Sequence, residues 1–530
     1  MHDHSADTRT GLPRRTALRI GAGAVAGLAL AATTARPATA VGPSRPDPQI
    51  HGNRLRRVTA DTTRVLKNPL SGWVLYGSTG VADDYWQSLD DLAAPVRIQG
   101  YANTLYLRIA WSVLNPAEDV YGWNTDDKLK SLIDTARQRG MKLAFRVVTD
   151  SRDKATDFTP SYVRGAGAQG YQTQTGSHTV WTAYPDDPIF RAKYEKFLIA
   201  FAAEFNDPEV VDFMDGYGLG KWGEGHSLIY LDDANREEVF RWNIGLWLRL
   251  FDKVPVAVNY HRFIGWHKPG DPPSATTGWG SPAPGSLELL TWAFEQGCSL
   301  RHDAFGMTTY YGQWERDLAA AWKFRRPVIM EGGWITGSHS YTDDPRGYQT
   351  PRDVRQGEYD DSAEGHVNTM DFRVGNETLS WFNDAPDLID AFTANGSYRL
   401  YPDTLSLPTV LHPGAAPTIV HRWSNDGWGY CPNNLPQWGY RYKPAFALLD
   451  EDLTVVATAV DRDAEPSVWL RGTSTEYRFT PKIDNVPGGR YQWGVAVVDT
   501  GRSDTPGLEL AAEGRVSPSG WLLVGDCTVG

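Results

Sequence analysis

The sequence predicts an α/β protein: a (β/α)8 TIM barrel followed by a smaller, all-β antiparallel sandwich domain. Three observations lead there. From Asn68 onward, apolar runs of strand length alternate with segments of helical period until eight strands have passed. No G-x-G-x-x-G turn accompanies them, which favours a closed barrel over a doubly wound sheet. After about residue 400 the helical period ends, and short alternating runs separated by turn residues replace it.

The first forty residues are not part of the fold. Arg14 and Arg15 precede an apolar run, Ile20 to Ala32, and the small-residue sequence Ala38-Thr39-Ala40 follows. A basic stretch, an apolar stretch and an A-x-A site make a twin-arginine signal over 1–40, cleaved after Ala40. The run is too short and too rich in Gly and Ala to suit a membrane span, so a secreted, soluble protein without a membrane anchor is expected. Residues 41–67 read as a lead-in to the barrel, which is assigned to 68–396.

Within the barrel, Gly72 to Gly77 is the first strand and Thr104 to Ala110 the second. Asp126 to Arg139 has helical period through Leu129, Leu132, Ile133 and Ala136, and Gly140 is placed to end it. Lys142 to Val148 is the third strand. Thr149 to Tyr184, rich in Gly, Thr, Gln and aromatics, reads as a long loop of the functional kind. An amphipathic helix over Asp187 to Phe205 leads to the fourth strand at Val210 to Met214. Then come a helix near Ala234 to Phe251, the strand Pro255 to Tyr260, a helix near Leu287 to Gln296 and the strand Ala304 to Tyr310. A helix near Trp314 to Phe324, the strand before Glu331 and the strand Val367 to Val374 complete eight units.

Residues 397–415 contain several prolines and read as a linker; 416–530 reads as the sandwich. Its strands are expected at 418–420, Lys443 to Leu449, Leu453 to Ala459, Glu476 to Phe479, Tyr491 to Asp499 and Trp521 to Gly525. Cys431 and Cys527 both fall there and are able to pair, whereas Cys298 is expected as a buried free thiol.

The formal charge of −12, without a basic patch, argues against nucleic acid as a partner. No His or Cys spacing resembles a zinc site and H-E-x-x-H is absent, so no metal or organic cofactor is implied. The 21 Trp and 24 Tyr supply flat apolar faces on which sugar rings stack, although most of them are expected to serve the core.

Two stretches carry the chemistry. Val211 to His226, V-D-F-M-D-G-Y-G-L-G-K-W-G-E-G-H, is an apolar strand that stops and presents Trp222, Glu224 and His226 on a glycine-rich turn. Arg326 to Trp334, R-P-V-I-M-E-G-G-W, repeats the arrangement around Glu331. Barrels of this class build active sites at the C-terminal ends of their strands, so the two glutamates suggest a pair facing one sugar-sized pocket. Glycosidic cleavage needs such a pair, one carboxylic acid to protonate the leaving oxygen and one carboxylate to attack the anomeric carbon or activate water. Arg108 and Arg146 sit in apolar strands and need partners, for which Asp212 and Asp215 are available.

These residues resemble those of the clan A glycoside hydrolases, β-galactosidase-like members in particular. Trp111 to Trp123, W-S-V-L-N-P-A-E-D-V-Y-G-W, is similar to their W-x-x-x-x-P-x-x-x-x-Y-x-[FW] signature after strand two. The C-terminal W-S-N-D-G-W-G-Y run resembles the sandwich of a group of secreted bacterial glycosidase-like proteins. The resemblance implies Glu224, ending strand four, as acid/base with a raised pKa, and Glu331, ending strand seven, as an ionised nucleophile steadied by Arg108. It implies an aromatic, Tyr310 or Tyr311, at the end of strand six. The expected activity is retaining hydrolysis of an oligo- or polysaccharide. The chain departs from the pattern at Gly223, where the family usually has the Asn of Asn-Glu, and Asn259 is a possible substitute. The candidate substrate-binding residues are then Arg108, Trp111, Trp222, His226, Asn259, Tyr310 and Trp334. Two other functions fit the same residues: a polysaccharide-binding barrel without catalysis, and a transglycosylase using the same glutamates.

Overall fold

Eight parallel strands close into a barrel in sequence order: Gly72–Gly77, Ala102–Ala110, Lys142–Val148, Val211–Asp215, Val256–Asn259, Ser299–Phe305, Val328–Gly332 and Thr369–Asp371, here strands one to eight. Strand eight pairs with strand one through Thr369 and Gly72, which leaves no open edge. The computed structural model describes residues 50, 52–77, 84–92, 98–266, 280–333, 341–412, 414 and 416–530. The expected signal over 1–40 and Trp334 lie outside them. Among the described residues, no helix is long and apolar enough to cross a membrane.

Alternation along the strands explains both the core and the site. Outward residues such as Leu105, Leu107, Ile109, Phe145 and Met330 pack against the surrounding helices. Inside, Val74, Tyr106, Ala144, Phe213, Ala257 and Ile329 form an apolar layer. Two positions beyond Tyr106, Ala144, Phe213, Ala257 and Ile329, the same strands carry Arg108, Arg146, Asp215, Asn259 and Glu331 instead, and strand six carries Asp303. Single charges in otherwise apolar strands therefore mark the C-terminal layer of the barrel.

The helices follow ordinary signals. Asp126 caps Asp127–Gln138 by accepting from Lys128 and Leu129 N–H, and Gly140 (φ 73°) lies just beyond its end. Asp187 caps Pro188–Phe205, which starts on proline and buries Phe190, Phe197, Phe201 and Phe205. Each of these rings contributes about 1.5–3 kcal/mol by leaving water.

Strand six differs from expectation. It runs over Ser299–Phe305, and the expected run to Tyr310 is instead a turn in which Tyr310 and Tyr311 N–H both bond Met307 C=O. Arg301 and Asp303 conceal the strand in the sequence because both charges point inward and are paired there. The long loop after strand three holds a short helix, Ser161–Gly165, and an antiparallel hairpin, Gly170–Thr175 with His178–Ala183.

The segment expected as a linker is not a free connector. Leu400–Pro408 is an inner strand of a four-stranded sheet, between Asn53–Arg57 from the lead-in and Ile419–Asn425, with Thr475–Phe479 beyond. Its prolines are tolerated because the register shifts beside Pro402 and the strand ends at Pro408. The second sheet is built from Tyr442–Leu449, Val455–Val460, Gly489–Asp499, Thr505–Leu508 and Leu522–Val529, antiparallel apart from a short parallel pairing by Val410–Leu411. Trp423, Trp469, Phe446, Trp493 and Val495 belong to the apolar core of this β-rich part. Tyr398 donates to Pro69 C=O and Trp428 to Val367 C=O, so the sandwich is fastened to the base of the barrel. Cys298, Cys431 and Cys527 are all free and buried. The Cys431–Cys527 pairing is thus not formed: Cys527 sits in the ladder opposite Tyr491, and Cys431 lies outside the strands, packed among apolar side chains.

Candidate active site

Glu224 does not end strand four; a folded turn carries it back over the barrel mouth. Trp222 N–H bonds Asp150 C=O at 2.9 Å, Lys221 N–H bonds His226 C=O at 3.0 Å and Gly225 N–H bonds Leu219 C=O at 3.0 Å. Two glycines are required here. At Gly218 (φ 69°) a Cβ would meet Val147 O at 2.3 Å, and at Gly223 (φ 74°) it would lie 3.1 Å from Arg146 Cδ. The Arg146 side chain packs directly beside this backbone at position 223. Trp222 itself adopts φ 59°, a left-handed conformation that a non-glycine residue holds only when its surroundings enforce it.

Arg108 joins the two glutamates. Its Nη2 donates to Glu224 Oε1 at 2.8 Å and to Trp222 C=O at 2.6 Å, while Nη1 donates to Tyr76 Oη at 3.1 Å and lies 3.9 Å from Glu331 Oε1. Both carboxylates therefore lie within reach of one guanidinium, an arrangement compatible with the spacing of a glycosidase pair. Their settings differ. The Glu224 side chain is 13% exposed; that of Glu331 is 1% exposed and ion-paired to Arg301 and Arg373.

Behind this pair lies a buried ionic network. Arg146 Nε donates to Asp215 Oδ2 at 2.6 Å, and Arg301 Nε lies 2.8 Å from the same oxygen. Tyr106 Oη donates there as well, at 2.9 Å. Arg146 also holds Asp303 in a two-point pair, at 2.8 and 3.1 Å, and stands 3.7 Å from Glu224 Oε1. Removing one charged member would leave its partners charged and buried, so the network holds strands two, three, four and six in one geometry.

His226 Nε2 lies 3.0 Å from Glu224 Oε2, and its Nδ1 lies 3.0 Å from Ser227 Oγ. Burial pushes the Glu224 carboxyl up, but the Arg108 guanidinium and the His226 hydrogen bond outweigh it and hold the group below the usual glutamate value. The expected raised pKa is therefore not what this environment produces. Asp303 is held well below the ordinary range, because Arg146 and Arg301 overcome its burial. Two carboxyls beyond Glu331 behave oppositely: burial pushes Asp371 up to about 7 and Glu358 up to about 8.

The other expected site residues divide. Trp222 is half-buried at the rim, with Lys221 Nζ 4.1 Å from its ring centroid. Asn259 is buried with its amide donating to Asp303 at 3.1 Å, so its side chain is engaged there. Trp111 is not a substrate contact. It is fully buried against Phe190, Tyr194 and Phe197, because its short helix turns it under the helix layer. Tyr310 is half-buried in the turn after strand six, while Tyr311 is buried and stacked on Phe305. Sequence reasoning missed Arg301, Asp303 and Arg373. Arg301 and Asp303 occupy alternate inward positions of strand six, and Arg373 follows strand eight at φ 59°. The available signal was inward period-two charge, the same one that singled out Arg108 and Arg146.

No family model and no curated protein matches this chain. Among solved structures it is similar to endo-glycoceramidase II from Rhodococcus sp., with 15% identity and a TM-score of 0.36 over 79% of this chain and 100% of that one. It is also similar to an endogalactoceramidase, with 12% identity and a TM-score of 0.36 over 81% of this chain and 100% of that one. An exo-β-1,4-mannosidase from Opitutaceae bacterium strain TAV5 gives 12% identity and a TM-score of 0.33; the match covers 59% of this chain and spans 55% of the mannosidase.

Proposed function

We propose that this protein is an exported glycoside hydrolase that cleaves an oligo- or polysaccharide by a retaining mechanism. Glu331 is the nucleophile and Glu224 the acid/base. One observation carries this: at the barrel mouth Arg108 touches Glu224 and approaches Glu331, so both carboxylates can address one bond. Arg301 and Arg373 keep Glu331 charged, as an attacking carboxylate must be. Glu224 is the more exposed of the two and is placed to meet the leaving group. Trp222 offers a flat face at the rim for a sugar ring. Export follows from the expected twin-arginine signal over 1–40.

A screen of aryl glycosides and polysaccharides with product analysis finds the substrate. An activated 2-deoxy-2-fluoro glycoside of that sugar should then label Glu331, read by mass spectrometry of the peptide. Labelling elsewhere would remove Glu331 from the role.

A second function, polysaccharide binding without cleavage, has its own support. Glu224 is held as a carboxylate, and Glu331 is buried beneath two arginines. Tight binding of a polysaccharide that is never shortened would establish it.

A further inference from the structure

Acid catalysis needs a proton on Glu224, yet both of its oxygens are engaged by nitrogen groups. Arg108 Nη2 donates to Oε1 at 2.8 Å and His226 Nε2 lies 3.0 Å from Oε2. Arg146 Nη1 stands 3.7 Å from Oε1. Held in this way, Glu224 is a carboxylate with no proton to give. Arginine does not surrender its own proton. Of the described groups in contact with Glu224, the imidazole of His226 is the one whose ordinary, unperturbed value falls between pH 5 and 8.

We propose that Glu224 and His226 hold one proton between them, and that this shared proton is the one delivered to the leaving-group oxygen. The delivery step rests on the glycosidase function proposed above; the sharing does not. Geometry accommodates the proton on either side. Nδ1 of His226 faces Ser227 Oγ at 3.0 Å, and a hydroxyl donates or accepts, so Nδ1 is satisfied bare or protonated. The contact between Nε2 and Oε2 is a hydrogen bond with the proton on either atom. Imidazolium with carboxylate and imidazole with carboxylic acid carry the same net charge. Passing the proton across 3.0 Å therefore adds no charge to a residue that is only 1% exposed.

The surrounding charges bear on the pair from several elements. Arg108 on strand two and Arg146 on strand three oppose an added proton, whereas Glu224 itself, Asp303 on strand six and Glu331 on strand seven favour it. The His261 ring is centred 4.9 Å from that of His226, and its Nδ1 accepts from Phe263 N–H at 3.0 Å.

In the first step the proton passes from Nε2 to Oε2, and Glu224 delivers it to the glycosidic oxygen. The C–O bond breaks with its electron pair going to that oxygen, while Glu331 bonds the anomeric carbon. His226 is left neutral beside an ionised Glu224. In the second step water attacks the anomeric carbon, its proton goes to Glu224 and is again shared with His226, and the departing bond returns its pair to Glu331. His226 acts through Glu224 as a positioning residue and touches no substrate atom.

The direct test is nitrogen NMR of the full-length chain with its twelve histidines labelled, His226 being assigned by its loss in His226→Gln. The expected wild-type ring stays imidazolium to a higher pH than the same ring does in Glu224→Gln. A neutral His226 at pH 6 in the wild type overturns the proposal, whatever the activity. On an aryl-glycoside substrate, His226→Gln should lose about ten-fold or more in kcat/KM on phenyl relative to dinitrophenyl glycosides. Equal loss on both, the pattern of a merely structural role, overturns the delivery step. Glu224→Ala is the control: if it shows no leaving-group dependence, the acid role of Glu224 fails and delivery fails with it, while the NMR result still decides the sharing.

Discussion

Arg108 Nη2 donates to Glu224 Oε1 at 2.8 Å, across from strand two to the turn beyond strand four. The bond fixes the charge and the direction of the carboxylate, and the other arm of the same guanidinium lies 3.9 Å from Glu331. Arg108→Lys keeps a positive charge but loses the planar fork that addresses both groups. Its kcat/KM on a confirmed substrate should fall about 10²-fold, with the wild-type melting temperature largely kept. Unchanged kcat/KM would show that the bridge does not serve the reaction.

Arg146 is a stability prediction. It is fully buried and holds both Asp215 and Asp303. Arg146→Met should destabilise the protein by about 3–5 kcal/mol, because two largely buried carboxylates each lose one cationic partner and Arg301 alone is left to serve both. Urea unfolding measures this; a loss under about 1 kcal/mol would mean that water already reaches the network.

The Asp371 and Glu358 carboxyls predict how stability varies with pH. Both are raised by burial, to about 7 and about 8. In the unfolded chain such groups ionise near pH 4. Between those limits the native state binds more protons than the unfolded state, so the stability they confer is fully present below about pH 4 and is lost as pH rises through 7 to 8. The melting temperature should fall from pH 6 to pH 9, and Glu358→Gln should flatten that slope. A melting temperature that rises over the same range contradicts the assignment.

Export is tested by Arg14→Lys with Arg15→Lys. Secretion should stop if the pair is a twin-arginine signal, and unchanged secretion removes that assignment.

Much of the fold was legible because local patterns and the tertiary environment agree. Lys142–Val148 lies in the sequence as it lies in the barrel, since both its faces are packed apart from one inward arginine. Strand six was misplaced because Arg301 and Asp303 look unlike strand residues until partners from other strands are known. Leu400–Pro408 was read as a linker from its prolines, although an irregular register beside Pro402 makes room for one of them. Glu224 and Glu331 stood out through the glycines and tryptophans beside them. Which arginine meets which carboxylate depends on barrel closure, which brings residues more than a hundred positions apart into contact. Arg108 accordingly pairs with Glu224 rather than with Asp212 or Asp215, whereas Arg146 does take Asp215.

The central claim is tested most directly by azide rescue of two alanine variants on a confirmed substrate, with the anomeric configuration of the glycosyl azide read by NMR. Glu331→Ala should lose several orders of magnitude in turnover and be rescued with inverted configuration, since azide in the emptied cavity attacks from the face opposite the leaving group. Glu224→Ala should be slowed most on poor leaving groups and be rescued with retained configuration, since azide there attacks the glycosyl-enzyme. Wild-type turnover in both variants would place the catalytic pair elsewhere and contradict the account.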